Sequence, residues 1–182
     1  MGEREQDLCL EEAAIMEKVA EQAEQTAAAA RDPDVRATLG RASSWLRQEA
    51  ERVRRWSRPL GGKLPLGRLR LYPMKIEKFL RELSARGERE MAPAVRLLDE
   101  FLEVQENRGF YEELTRTLRA LAALEERKAR GKEAAIHLDL VKQLERRLDR
   151  GEFDRPQPEQ RERDESMLTK FQAQLQAMQS RT

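Results

Sequence analysis

"CLEEAAIMEKVAEQAEQTAAAARDPDVRATLGRASSWLRQEAERVRRW", residues 9–56, decides the fold. Steps of four and three residues, taken alternately, pick out Cys9, Ala13, Met16, Ala20, Ala23, Ala27 and Ala30, and all seven are apolar. That spacing marks one face of a helix, and Leu8, Ile15 and Val19 widen it into the broad stripe of a helix packed in a bundle. Asp32 then caps, and Pro33 suits a first helical position because its missing N–H would have no partner there. A second seam follows at Val35, Leu39, Ala42, Leu46, Glu49, Val53 and Trp56, with Glu49 the single polar member.

So short a turn makes the two helices antiparallel, and it pairs residues whose numbers add to 65 or 66. Ala30 meets Val35, Ala27 meets Leu39, Ala20 meets Leu46, Ala13 meets Val53 and Cys9 meets Trp56. Small faces large nearly throughout, which lets two backbones approach closely without voids. Ala23 opposite Ala42 is small on small, so a side chain from another helix is expected to fill that layer. Glu49 falls opposite Met16, where an unpaired carboxylate is costly; Arg52, one turn on, is the expected partner. Cys9, facing Trp56, is read as a packing residue and not a nucleophile.

The wider composition agrees with this hairpin. A chain of 182 residues has room for one domain with a real core, and 38% charged with 5% aromatic residues is the make-up of solvent-facing helices with narrow apolar seams. No run approaches the roughly 18 apolar residues a bilayer span requires, and "MGEREQDL" lacks the order of a signal peptide, so a cytoplasmic location is expected. One cysteine forms no internal disulfide, so stability must come from packing.

Beyond Ser57 the helical period stops. Residues 58–73 hold three of the seven prolines and three of the nine glycines and read as a connector, in which "LRLY" alternates as a short extended piece would. Tyr72-Pro73 opens a short helix carrying Ile76, Phe79, Leu80 and Leu83, closed at Arg86-Gly87. Pro93 begins a further helix, interrupted at "ENRG", residues 106–109. The pattern resumes from Phe110 through Leu124, and a turn is favoured at Gly131 before the amphipathic segment Ala134–Leu148. "EFDRPQPEQRERDES", residues 152–166, reads as a polar linker. After it, Leu168, Phe171, Leu175 and Met178 form an apolar stripe, either folded back on the bundle or offered to a partner helix. The expected fold is therefore all-α: an antiparallel helical bundle over residues 1–151 with a long basic crossover at 58–73, a linker at 152–166 and a C-terminal amphipathic helix at 167–182.

An αα-hairpin of this length, with Asp32-Pro33 at its turn, the acidic and basic run "QEAERVRRW" and a long crossover behind it, resembles the first half of ferritin-like or rubrerythrin-type four-helix bundles. Members that bind a di-iron centre supply two Glu-x-x-His motifs. Here Glu49 is followed three residues later by Arg52, and the one histidine, His137, is preceded by Ala134, so the resemblance implies a bundle without the metal site. His137 lies in register with Leu140, Val141, Leu144 and Leu148 and reads as a hydrogen-bonded core residue. No metal, cofactor or catalytic residue is expected.

The other signal is electrostatic. Residues 52–75 hold eight Lys or Arg and no Asp or Glu in a chain whose net charge is +1. Arg52, Arg54 and Arg55 can pair with glutamates of the first helix such as Glu3, Glu11 and Glu12. Otherwise the stretch meets nucleic-acid phosphates, an anionic membrane or an acidic protein surface. The candidates for such contacts are Arg54, Arg55, Arg58, Lys63, Arg68, Arg70 and Lys75. The function expected is that of a non-enzymatic interaction protein, binding partner helices or a second copy and touching an acidic surface through its basic loop. The alternatives are a small nucleic-acid-associated subunit and, last, a divergent ferritin-like protein.

Overall fold

The α1–α2 hairpin runs as the two seams require. In a computed structural model that describes residues 3–56, 66–155 and 157–180, α1 spans Glu3–Ala29 and α2 spans Pro33–Trp56. The side chains of residues 3–6, 56 and 66–70 lie outside the description, as do residues 57–65 altogether. All seven residues of the first seam are buried, as are Val35, Leu39, Ala42, Leu46 and Val53 of the second. Trp56, expected opposite Cys9, falls outside the described side chains. Two ion pairs settle the direction: Arg54 holds Glu17 and Arg47 holds Glu24, so seven residues forward on α1 is seven backward on α2. The turn is capped by Asp32, whose Oδ1 accepts from the Asp34 amide at 2.8 Å.

Four further helices follow among the described residues: α3 (Leu66–Arg86), α4 (Glu88–Arg127), α5 (Gly131–Asp149) and α6 (Pro158–Gln179), with a 3-10 turn at Glu152–Asp154 before α6. The fold is all-α, and no strand occurs among the described residues. Those up to Glu103 form one compact unit and those from Val104 onward a second, so α4 serves both cores.

In the first unit α3 packs on α1, and Ile76, Phe79, Leu83, Met91, Val95, Leu98 and Leu102 complete the core begun by the hairpin. Trp45 joins it from a second face of α2, its ring edge-on to Tyr72 and Phe101 at centroid distances of 5.4 and 6.2 Å. Gly87 closes α3 with φ +84, a left-handed conformation that suits glycine at a helix stop, and its amide bonds the Leu83 carbonyl at 2.9 Å. α4 starts at once, and its first residue, Glu88, reaches back to accept the amides of Arg31 and Asp32 at 2.9 and 2.7 Å.

Several expectations from the sequence are corrected here. The connector expected at 58–73 is helical from Leu66, with Pro73 inside α3, so "LRLY" is not extended. A buried Pro73 and the packing of Tyr72 against Trp45 outweigh the local cost of one missing donor. Likewise α4 begins five residues before Pro93, since Met91 buries the first turn. It then passes unbroken through "ENRG", because Asn107 and Arg108 find partners at Phe153 and Asp154. Ile15, expected to widen the first seam, is 47% exposed.

In the second unit Phe110, Tyr111, Leu114 and Leu118 of α4, Val141 and Leu148 of α5, and Phe153 form the core, with Leu144, Leu168 and Phe171 packed against it. The expected linker at 152–166 is largely structure: Phe153 is buried and stacked on Tyr111 at 3.5 Å, and α6 runs from Pro158, not from 167. The turn between α4 and α5 places Ala129 at φ +58, a left-handed conformation without glycine.

Candidate functional site

Each cation of the basic stretch that the structure describes has its own neighbours. Arg52 bonds Glu49, the partner expected for that buried seam carboxylate. Arg54 bonds Glu17 through both guanidinium nitrogens, one at 2.6 Å, and not Glu11. This bond holds the Glu17 carboxyl below its ordinary range and raises the Arg54 guanidinium. Arg55 is exposed at the end of α2. The Lys75 ammonium sits 4.6 Å from the centre of the Phe101 ring. Arg58 and Lys63 lie outside the described residues, and Arg68 and Arg70 are on α3 with their side chains outside the description.

The candidate partner stripe of α6 is occupied within its own unit. Met178 is buried, Leu168 and Phe171 pack on the second core, and Leu175 is half-buried. Of the two readings of that stripe, the structure shows the helix folded back.

The second unit contains two polar pairs, one buried and one part-buried. At one, the His137 ring faces the Glu125 carboxylate, Nδ1 to Oε2 at 2.7 Å, while Gln174 Nε2 donates to Glu125 Oε1 at 3.3 Å. Glu125 is wholly buried. Phe171 stands edge-on to the imidazole, so three helices meet at this pair. At the other, Tyr111 Oη donates to Asp164 Oδ2 at 2.7 Å, with both residues buried. Burial, and then this hydrogen bond, push the Tyr111 phenol well above its ordinary value, so it stays protonated. Around it Asn107 donates to the Phe153 carbonyl at 2.6 Å and accepts from Arg161 at 3.1 Å. Arg161 and Arg147 lie over the Phe110 and Phe153 rings. Chemically these constellations hold helices together: a carboxylate and an imidazole at hydrogen-bond distance have the parts for proton transfer, and here the carboxylate of that pair is wholly buried.

Neither Glu125 nor Asp164 was marked as a site residue by the sequence. Glu125 opens the run "EERKARGKE", which lacks large apolar residues, and Asp164 sits among charges in "QRERDES". The one signal that bore on either was His137 on an apolar face, which requires a buried polar partner from elsewhere.

Among the described residues of the first unit, a groove of about 490 Å³ opens between α2 and α4. Val35 and Val95 are its buried floor, and Ala37 and Ala92 are exposed on its walls. Arg41 crosses it to Asp99 at 2.8 Å. No group of three or more His, Cys, Asp or Glu is placed to hold a metal ion among the described residues. No helix among them is long and apolar enough to cross a membrane. Neither protein-family models, curated protein sequences nor solved structures give a match to this chain.

Proposed function

We propose that this protein is a non-enzymatic interaction module that uses its basic stretch against an acidic protein surface. The observation that carries this reading is the division of labour among the cations. Arg52 and Arg54 serve the hairpin itself and Lys75 covers Phe101, whereas residues 57–70 carry Arg58, Lys63, Arg68 and Arg70 with no carboxylate in that stretch of sequence. The complete burial of Glu125 supports a structural role for the one carboxylate–imidazole pair described. The α6 stripe, spent on its own unit, drops out as the principal docking element.

Fluorescence anisotropy tests the proposal, with a labelled poly-glutamate peptide and a labelled DNA duplex of generic sequence as probes. The peptide is expected to bind at low salt and to lose at least tenfold in affinity when Arg68 and Arg70 are both changed to Ala. Tight DNA binding whose salt dependence is steep and lost in the same variant would overturn the proposal in favour of phosphate recognition.

A further inference from the structure

We propose that the α2–α4 groove of the first unit binds a free basic amino acid, one whose side chain ends in an ammonium or guanidinium group. The groove's volume, about 490 Å³, is that of a small-ligand site. Its walls run parallel: Glu88 accepts the amides of Arg31 and Asp32, and eleven residues further on Asp99 meets Arg41. Partners across it therefore differ by 56–58 in residue number. The observation that points to a ligand is Thr38. This residue lines the groove and is only 6% exposed, yet its hydroxyl has no hydrogen-bond partner among the described residues. Thr26, Thr115 and Thr169, also helical, each donate to the carbonyl four residues back. A buried polar group without a partner is costly, so a hydroxyl held open to a groove suits a partner that arrives from outside.

The charges along the groove are sorted by level. At the start of α2 it is lined by Asp32 and Asp34. Asp32 accepts the Asp34 and Val35 amides through Oδ1, the Asp34 carboxylate is exposed, and nearby Arg36 is bound to the Ala30 carbonyl. This end takes a cation. Val35 and Val95 then form a buried apolar floor, and Ala37 and Ala92 leave room above it for an aliphatic stem. Beyond them lie both signs. Arg41 and Asp99 neutralise each other, while Arg96 and Glu100 stand exposed one turn apart on α4 with opposite charges. That end matches the two groups of an α-amino acid, its carboxylate on Arg96 and the Thr38 hydroxyl, its ammonium on Glu100. Thr38 stands at the level of Arg96 and four residues from Asp34, about 6 Å along the axis, the length of a basic residue's three- or four-carbon stem. A plain diamine would set its second ammonium beside Arg41 and Arg96, and a neutral side chain would leave Asp32 and Asp34 unanswered.

Isothermal titration calorimetry on the full chain tests this with L-lysine and L-arginine, against norleucine, which lacks the side-chain ammonium, and cadaverine, which lacks the carboxylate. One of the basic amino acids is expected to bind at a single site per chain, and norleucine and cadaverine at least tenfold more weakly. Asp34→Lys should weaken that binding at least tenfold. Thr38→Val should weaken it about fivefold while leaving the unliganded protein as stable as before, because the hydroxyl has no intramolecular bond to lose. Glu100→Gln, an exposed change that leaves α2 and the core untouched, should act in the same direction, and circular dichroism checks that each variant keeps its helices. No saturable heat from either amino acid at about 10 mM overturns the proposal. So does binding that norleucine or cadaverine matches, or that Asp34→Lys and Thr38→Val leave unchanged. The groove is separate from the basic stretch, and neither result decides the other.

Discussion

The two compact units solve the same problem, holding helices side by side, with different means. The first relies on size matching: Ala13, Ala20, Ala27 and Ala30 share one core cluster with Val53, Leu46, Leu39 and Val35, and the polar side chains buried on the hairpin are Glu12, Thr38, Ser43 and Glu49. The second has fewer large apolar groups and closes its core with the Tyr111–Asp164 and Glu125–His137 pairs and the Phe153 stack. A small-on-large seam tolerates almost no added volume but demands nothing of hydrogen bonds. A polar-pinned core accepts fewer apolar contacts, yet each pin is costly to break because its partner stays buried.

The sharpest way to break the contrast is at the second unit. His137→Ala leaves the wholly buried Glu125 carboxylate with Gln174 and no imidazole, and it should cost about 3–5 kcal/mol, read from chemical denaturation. Changing Glu125 to Gln in that background should recover part of the loss, an effect that cavity formation alone would not produce. In the first unit the comparable damage comes from added volume. Ala20→Leu forces the seam apart and should cost about 1–3 kcal/mol, whereas the same change at exposed Ala28 should be nearly neutral.

Tyr111 sharpens the comparison through pH. Its folded pKa lies above the unfolded value of about 10, so the protonated phenol's contribution is complete below that pH and is lost as pH rises through the folded value. Stability measured from pH 9 upward should fall more steeply in the native protein than in Tyr111→Phe. At neutral pH that variant should be less stable by about 1–3 kcal/mol, because Asp164 loses its donor. The smallest effect is expected at the α4–α5 turn. Ala129→Gly relieves a left-handed alanine and should stabilise the chain by about 1 kcal/mol, visible as a small rise in Tm.

The two units also differ in how far they were legible beforehand. The hairpin could be read because its burial follows one face with one period, and every described seam residue is buried. The period failed for Trp45 and Ile15. α2 is covered on a second side by Tyr72 and Phe101, which buries Trp45 off the seam, while Ile15 of α1 is left half exposed. Prolines at 73 and 93, and the Asn-Arg-Gly run at 107–109, signalled breaks by local rules that tertiary burial overrode. Asp164 and Glu125 were hidden for a related reason: a carboxylate in a charged run looks solvated until a phenol or an imidazole from another helix is set against it.

The sequence by itself determined that this chain is all-α, that its first two helices form an antiparallel hairpin, and that its positive charge is gathered in one acid-free stretch. Those properties depend on neighbours three, four or a few tens of residues apart. Tertiary structure alone decided where the breaks in pattern become helix, that the α6 stripe is used at home, and that a groove lined by Asp34, Arg41, Asp99 and Glu100 opens between α2 and α4. Each of these depends on which distant side chain arrives to satisfy a buried group or to leave one exposed, and no local periodicity encodes that arrival.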